Sequence, residues 1–141
     1  MSAPTLPLSA SCRGTETILL VDDEAILRDL ARMILQKFGY QVLLAEDGVQ
    51  ALDVYQENRA QIQLVVLDLT MPRLSGRDAF QRLVEINPRV RVLFASGYSA
   101  EHVNDTSSEQ VVGFVSKPYR PEELVQMVRS ALDRQEVRGT A

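Results

Sequence analysis

Two apolar runs in this sequence stop abruptly on acid: Ile18-Leu19-Leu20-Val21 on Asp22-Asp23, and Leu64-Val65-Val66-Leu67 on Asp68. A buried strand gains nothing from an unpaired carboxylate at its end, because stripping water from a lone charge is costly. Two strands that both end in acid therefore point to a place where something positive is held. If the strands are parallel neighbours, the three carboxylates meet at one sheet edge. Carboxylates ~4 Å apart repel by about 1 kcal/mol in water and by about 4 kcal/mol at an effective dielectric of 20. Such a cluster must take up a proton or a cation. Oxygen donors with no His or Cys nearby favour Mg²⁺, which keeps several waters and commonly bridges to phosphate. Taken alone, Asp22-Asp23-Glu24 could equally be an acidic helix start, since carboxylates favour the positive end of the helix dipole.

The elements that must position these acids alternate along the chain. Strand-like runs occupy Thr17-Val21, Gln41-Ala45, Gln63-Leu67, Arg91-Ala95 and Val111-Val115. Four of the five are near-continuous apolar runs, the pattern of strands covered on both faces. Helical periodicity fills the intervals. Over 24–38 it places Leu27, Leu30, Ala31, Ile34 and Phe38 on one stripe, with Gly39 as the stop. Helices follow at 48–57 and 76–87, the latter turning Phe80, Leu83 and Val84 inward. Pro121 suits the first position of a last helix striped by Leu124, Val128, Ala131 and Leu132. The fourth interval, 99–110, is polar and predicts a short frayed helix or an irregular loop. Five βα units in a row predict an α/β fold, a parallel sheet with helices on both faces.

In a doubly wound sheet, ligands sit beyond the carboxyl ends of the strands. Here those ends carry Asp22-Asp23, Asp68, Ser96-Gly97 and Lys117-Pro118, so all the candidate groups fall on one rim. A carboxylate beside Mg²⁺, an ammonium and a hydroxyl is a phosphoryl-acceptor arrangement. Asp68 would be the nucleophile, Mg²⁺ and Lys117 would neutralise the phosphoryl oxygens, and Ser96 would hydrogen-bond one of them.

In order and spacing, Val21-Asp22-Asp23-Glu24, Asp68-x-x-Met71-Pro72-x-x-x-Gly76, Ser96-Gly97 and Lys117-Pro118 resemble the receiver domains of two-component response regulators. The resemblance covers about residues 16–135. It implies a (βα)5 flavodoxin-like, doubly wound parallel sheet of strand order 2-1-3-4-5, and phosphorylation of Asp68 by a histidine kinase or phosphotransfer protein. It also implies Mg²⁺ held by Asp23, Asp68 and the backbone carbonyl of Thr70, with Asp22 helping through water. Ser96 stands at the family's hydroxyl switch position and Phe114 at its aromatic switch position. Their response would remodel an output surface made by the fourth helix, fifth strand and fifth helix. The Lys117-Pro118 bond is expected cis, as in the family. The departures are Ser for the commoner Thr, Phe for Tyr, and the eroded fourth helix. The sequence around Gly14-Thr15-Glu16-Thr17 and Ala95-Ser96-Gly97-Tyr98-Ser99 looks like C-terminal receivers of hybrid sensor histidine kinases.

Bulk properties set the remaining expectations. The 141 residues suit one domain, expected over 16–135, with a linker or disordered leader at 1–15 and a tail at 136–141. Hydrophobic content of 45% with 24% charged residues reads as an ordinary soluble protein. A net charge of −4 without a basic stripe argues against nucleic acid, and no apolar run approaches the ~18 residues that span a bilayer. The lone Cys12 excludes a disulfide framework, and a cytoplasmic location follows most simply, with a parent protein that could be membrane-attached. The sequence therefore reads as a monomeric or weakly dimerising phosphoacceptor switch with only slow self-catalysed chemistry, not a true enzyme. A free-standing single-domain regulator is the alternative. An aspartyl-phosphate phosphatase of the haloacid dehalogenase kind would need its nucleophile on the first strand and a second Asp two residues on, where Thr70 stands here. A flavin carrier would need a phosphate-cradling loop where Asp22-Asp23 would repel phosphate. A partner-binding pseudo-receiver would lack one of the key acids.

Overall fold

The computed structural model describes residues 12–69, 76–96, 110–117 and 119–140. Along the chain run β1 (Thr17–Val21), α1 (Ala25–Lys37), β2 (Gln41–Ala45), α2 (Gly48–Glu57), β3 (Ile62–Asp68), α3 (Gly76–Ile86), β4 (Val92–Ser96), β5 (Val111–Ser116) and α4 (Pro121–Thr140). The strands form one parallel sheet in the order β2-β1-β3-β4-β5, the order expected from sequence. The polar fourth interval lies outside the described residues from 97 to 109, so the last described helix, α4, is the fifth of the sequence reading.

The continuous apolar runs are explained by the pleat. Successive strand residues face opposite sides, and each side has its own core. Ile18, Leu20, Leu64 and Val66 pack with Ala31 and Leu35 of α1 and with Leu124, Val125 and Val128 of α4. Leu19, Val21, Val65 and Leu67 pack on the other side with Ala51 and Tyr55 of α2 and Ala79 and Leu83 of α3. Each fully buried aliphatic side chain contributes about 1.5–3 kcal/mol. The central strands have almost no exposed residue, while the edge strand β2 is open at Gln41 and half-buried through Leu44.

Helix α1 differs from the expected stripe. Leu30 is 46% exposed, and Leu35 takes the core position instead, beside Ala31. The helix turns about 100° per residue, so a face centred on Ala31 and Leu35 leaves Leu30 on its flank. Gly39 ends the helix at φ +101°, and a Cβ there would also overlap the carbonyl oxygen of Gly14. Helix α2 starts on a reciprocal cap: Asp47 Oδ1 accepts from Gln50 N at 2.8 Å, while Gln50 Oε1 accepts from Glu46 N at 2.6 Å.

Packing begins before β1, within the segment read as a leader. Cys12 is 3% exposed, its carbonyl accepts from the Tyr40 hydroxyl at 2.6 Å, and Gly14 N donates to Phe38 O at 3.1 Å. Arg129 of α4 closes this corner, donating to Glu16 Oε2 at 2.7 Å and to the Arg13 carbonyl at 3.1 Å. At the other end of the chain, α4 continues to Thr140, past residue 135.

Candidate functional site

Register decides which strand ends become neighbours. Val21 pairs with Leu67 across β1 and β3, so Asp22 and Asp68 leave adjacent strands side by side. Asp68 pairs with Ala95 of β4, and Ser96 pairs with Ser116, the residue before Lys117. The sheet alone therefore gathers residues that are 46 and 49 positions apart in sequence (68−22 and 117−68).

Asp22 and Asp68 are each 2% exposed, whereas Asp23 is exposed. One carboxylate oxygen from each of the three lies within 4.8 Å of the others. Asp22 serves two ends at once. Its Oδ1 accepts from Glu24 N at 2.9 Å, closing the turn into α1, and its Oδ2 stands 3.2 Å from Lys117 Nζ. Asp22 thus closes the turn before α1 and also lies in the acid cluster. Its backbone carbonyl is fixed by Arg28 Nη1 at 2.7 Å. Lys117 Nζ donates to Asp68 Oδ2 at 3.0 Å and stands 3.5 Å from Glu24 Oε1.

Burial by itself would lower the pKa of the Lys117 ammonium. The hydrogen bond and charge of Asp68, followed by those of Asp22, outweigh burial and hold it well above the ordinary lysine value. Tyr119, two residues on, is pushed up to about 12 by burial and by the negative charge of Asp22. Three hard oxygen donors around a single ammonium suit a small divalent cation, and among the described residues the cluster holds no sulfur or imidazole donor, which fits Mg²⁺.

Gly76 holds the turn after β3 shut. Its N–H donates to Leu69 O at 3.3 Å, and a Cβ there would overlap the Asp68 carbonyl oxygen. Any larger residue would push α3 away from the acid. Phe114 is half-buried and stacks on Phe94, with ring centroids 5.9 Å apart and planes 21° apart, and Phe94 meets Phe80 edge-on at 5.4 Å. Of the residues expected at the site, the structure brings together Asp22, Asp23, Asp68 and Lys117. Ser96 ends β4 on the same rim, and its side chain lies outside the described atoms. Thr70, Met71, Pro72, Gly97, His102 and Pro118, with the expected cis bond, lie outside the described residues. Sequence reasoning placed Glu24 only in the acidic triplet that could start a helix and in the family motif, and gave Tyr119 no role, its only signal being its place two residues after Lys117.

The profile of the response regulator receiver domain family matches residues 18–129. The chain is 32% identical over 124 residues to the sensor kinase CckA of Brucella abortus, covering 87% of this chain and 13% of that protein. It is 30% identical over 118 residues to the chemotaxis protein CheY of Bacillus subtilis, covering 82% of this chain and 97% of that one. The crystal structure of the response regulator TrrA of Thermotoga maritima, in complex with Mg²⁺ and a beryllium fluoride, superposes with a TM-score of 0.75 at 30% identity. That match covers 84% of this chain and all of TrrA. The chain thus spans about an eighth of the length of the kinase and nearly all of CheY.

Proposed function

The chain belongs to the response regulator receiver domains, and from that premise we propose that Asp68 is the phosphoacceptor of a two-component phosphorelay. The observation that carries this reading is one ammonium, Lys117, shared by two buried carboxylates, Asp22 and Asp68, with the exposed Asp23 completing an oxygen cluster. A buried acid pair on adjacent strands is costly to maintain, and a switch that must accept a cation and then a phosphoryl group gives it a use.

A phosphohistidine of a kinase or phosphotransfer protein would be the donor. An Asp68 oxygen attacks phosphorus, the P–N bond breaks as the O–P bond forms, and the electron pair leaves on the imidazole nitrogen. Asp23, Asp68 and the Thr70 carbonyl would hold Mg²⁺, with Asp22 reaching it through water, and the ion would supply charge neutralisation for the phosphoryl oxygens. Lys117, already 3.0 Å from Asp68, follows the new negative charge, and its raised pKa keeps it protonated throughout. The Ser96 hydroxyl donates to a phosphoryl oxygen, and Phe114 adjusts on Phe94 to re-form the surface of the fourth connection, β5 and α4. The domain carries out this transfer slowly and once per signal; turnover belongs to its partners.

The parent is proposed to be a hybrid sensor histidine kinase working in the cytoplasm, a reading supported by the CckA relative. CheY supports the free-standing alternative. Incubation with acetyl phosphate and Mg²⁺ should label the wild type at one residue, and Asp68→Asn should remove all of that label. Undiminished labelling of Asp68→Asn at another side chain would transfer the role elsewhere.

A further inference from the structure

At the end of β3 opposite to Asp68 lies a cavity of about 250 Å³, bounded by Tyr55 of α2, the start of β3 and the turn from Asn87 to Arg91. Two arginines, Arg89 and Arg91, line it, and no carboxylate does. Neither arginine makes an ion pair among the described residues. Arg91 Nη1 donates to the Leu132 carbonyl at 3.1 Å, and its remaining N–H donors bond nothing there. Burial acts against the charge of this half-buried guanidinium; the charge of Glu16 acts the other way, but that carboxylate is already held by Arg129 at 2.7 Å.

Tyr55 adds a donor, by elimination. A backbone N–H can only donate, so the Asn87 oxygen must face Arg89 N, from which Oδ1 accepts at 3.0 Å. That turns Asn87 Nδ2 to the Tyr55 hydroxyl, 2.9 Å away, and an amide nitrogen too can only donate. The Tyr55 oxygen is therefore the acceptor in this bond, and its own proton is left to give. Tyr55 makes no other hydrogen bond among the described residues, although it is 1% exposed. A buried hydroxyl with an uncommitted proton calls for an acceptor, and here it stands at a cavity lined by two cations.

We propose that this cavity binds a small phosphate monoester, held by Arg89, Arg91 and the Tyr55 hydroxyl. A phosphate monoester carries about −1.5 to −2 charges at neutral pH and so matches two guanidinium groups, whereas a carboxylate balances only one. The planar guanidinium fork also suits pairs of phosphate oxygens. The volume lies just below the ~300 Å³ at which pockets for drug-sized ligands begin, so the organic part of the ligand is small. Asn87 is a positioning residue: one side chain fixes both the turn that carries Arg89 and the direction of the Tyr55 proton.

The test titrates the full chain with methyl phosphate, and separately with acetate, at constant ionic strength and without Mg²⁺, which keeps phosphate away from the acid cluster. Backbone amide resonances are followed by NMR. In the wild type, methyl phosphate should shift Gln63, Arg89 and Arg91 along one saturating curve, while acetate over the same range leaves them unsaturated. Arg89→Gln should weaken binding by roughly three- to five-fold, the size of an exposed ion pair. Tyr55→Phe should weaken it by roughly ten-fold, the size of a hydrogen bond to a charged group. If thermal unfolding shows that Tyr55→Phe has lost its fold, Arg89→Gln, on an exposed turn, decides alone. Shifts that grow without saturation, or that spread equally over the other surface arginines, would mean general attraction of counter-ions and would overturn the site. Saturation by acetate with equal affinity would overturn the choice of phosphate, and wild-type affinity in the folded variants would overturn the assigned residues.

Discussion

The two rims of the sheet solve opposite electrostatic problems. At the carboxyl ends of the strands, the single ammonium of Lys117 faces Asp22, Asp68 and Glu24, and Asp23 completes the acid cluster. At the amino ends, Arg129 binds Glu16 through two nitrogens at 2.7 and 3.2 Å, holds Asp133 at 2.9 Å and donates to the Tyr40 hydroxyl at 3.2 Å. Arg91, which precedes β4 and feels the charge of Glu16, adds a second cation there. Around Arg129 the amino rim is balanced and closed by its own side chains. Among the described residues, the carboxyl rim gathers more carboxylates than ammonium groups. Similar residue types serve structure at one rim and, on the proposed reading, function at the other, and among the described residues the two differ in their balance of charge.

Lys117→Ala is the harshest way to break this comparison. It takes the ammonium away from the buried Asp22 and Asp68, and removing one partner of a buried pair costs about 3–5 kcal/mol. The lower end applies, because the cluster opens to water at Asp23. The raised pKa of Lys117 means that its contribution is fully present below the unfolded lysine value and is lost only as pH rises through the higher folded value, so the full loss is visible at neutral pH. Denaturant unfolding should show a fall of about 3 kcal/mol. Mg²⁺ should restore part of it by replacing the lost charge. A Mg²⁺-insensitive loss would mean that the acids are stabilised by some other means.

Arg129→Ala should be milder and should behave differently. The guanidinium side chain is 17% exposed and Glu16 is 21% exposed, so water can reclaim much of what is lost. A decrease of about 1.5 kcal/mol is expected, the range of a hydrogen bond to a charged group. Mg²⁺ should restore none of it, and titration of Mg²⁺ should give the wild-type affinity. Coupling of this variant to metal binding would show that the rims are not independent.

The contrast also explains what the sequence made legible. The acid rim was visible because strand periodicity and parallel order place residues at strand ends without any knowledge of side-chain reach. Asp22, Asp68 and Lys117 needed only the register that pairs Val21 with Leu67 and Ser96 with Ser116. The amino-rim clasp was not visible. Arg129 and Glu16 are 113 residues apart and meet because a long, flexible side chain on α4 reaches across the sheet end, which no local pattern encodes. Cys12 looked like linker because its neighbours are polar, yet a carbonyl bond from Tyr40 and packing under α4 bury it. Leu30 shows the same limit on a smaller scale: periodicity identified the helix, but Leu30 of the expected stripe is exposed while Leu35 is buried.

The gentlest probe of the comparison is acid. Burial alone would raise the pKa of Glu16, but the hydrogen bond and charge of Arg129, together with the backbone amides of Glu16 and Thr15, outweigh it and hold the carboxyl below its ordinary value. A depressed folded pKa gives stability that is fully present above the unfolded value and disappears as pH falls through the folded one. The stability difference between wild type and Glu16→Gln should therefore be constant near neutral pH and shrink once pH drops below the ordinary glutamate range of about 4.3. It should not exceed about 1 kcal/mol at its largest, as befits a partly exposed pair. In an Arg129→Ala background the same subtraction should lose most of its pH dependence, because the hydrogen bond and charge of Arg129 that help lower the Glu16 pKa are gone. A pH-dependent difference that survives there undiminished would assign the depressed pKa to the Glu16 and Thr15 backbone amides, and the amino rim would then be held by its turn more than by its arginine.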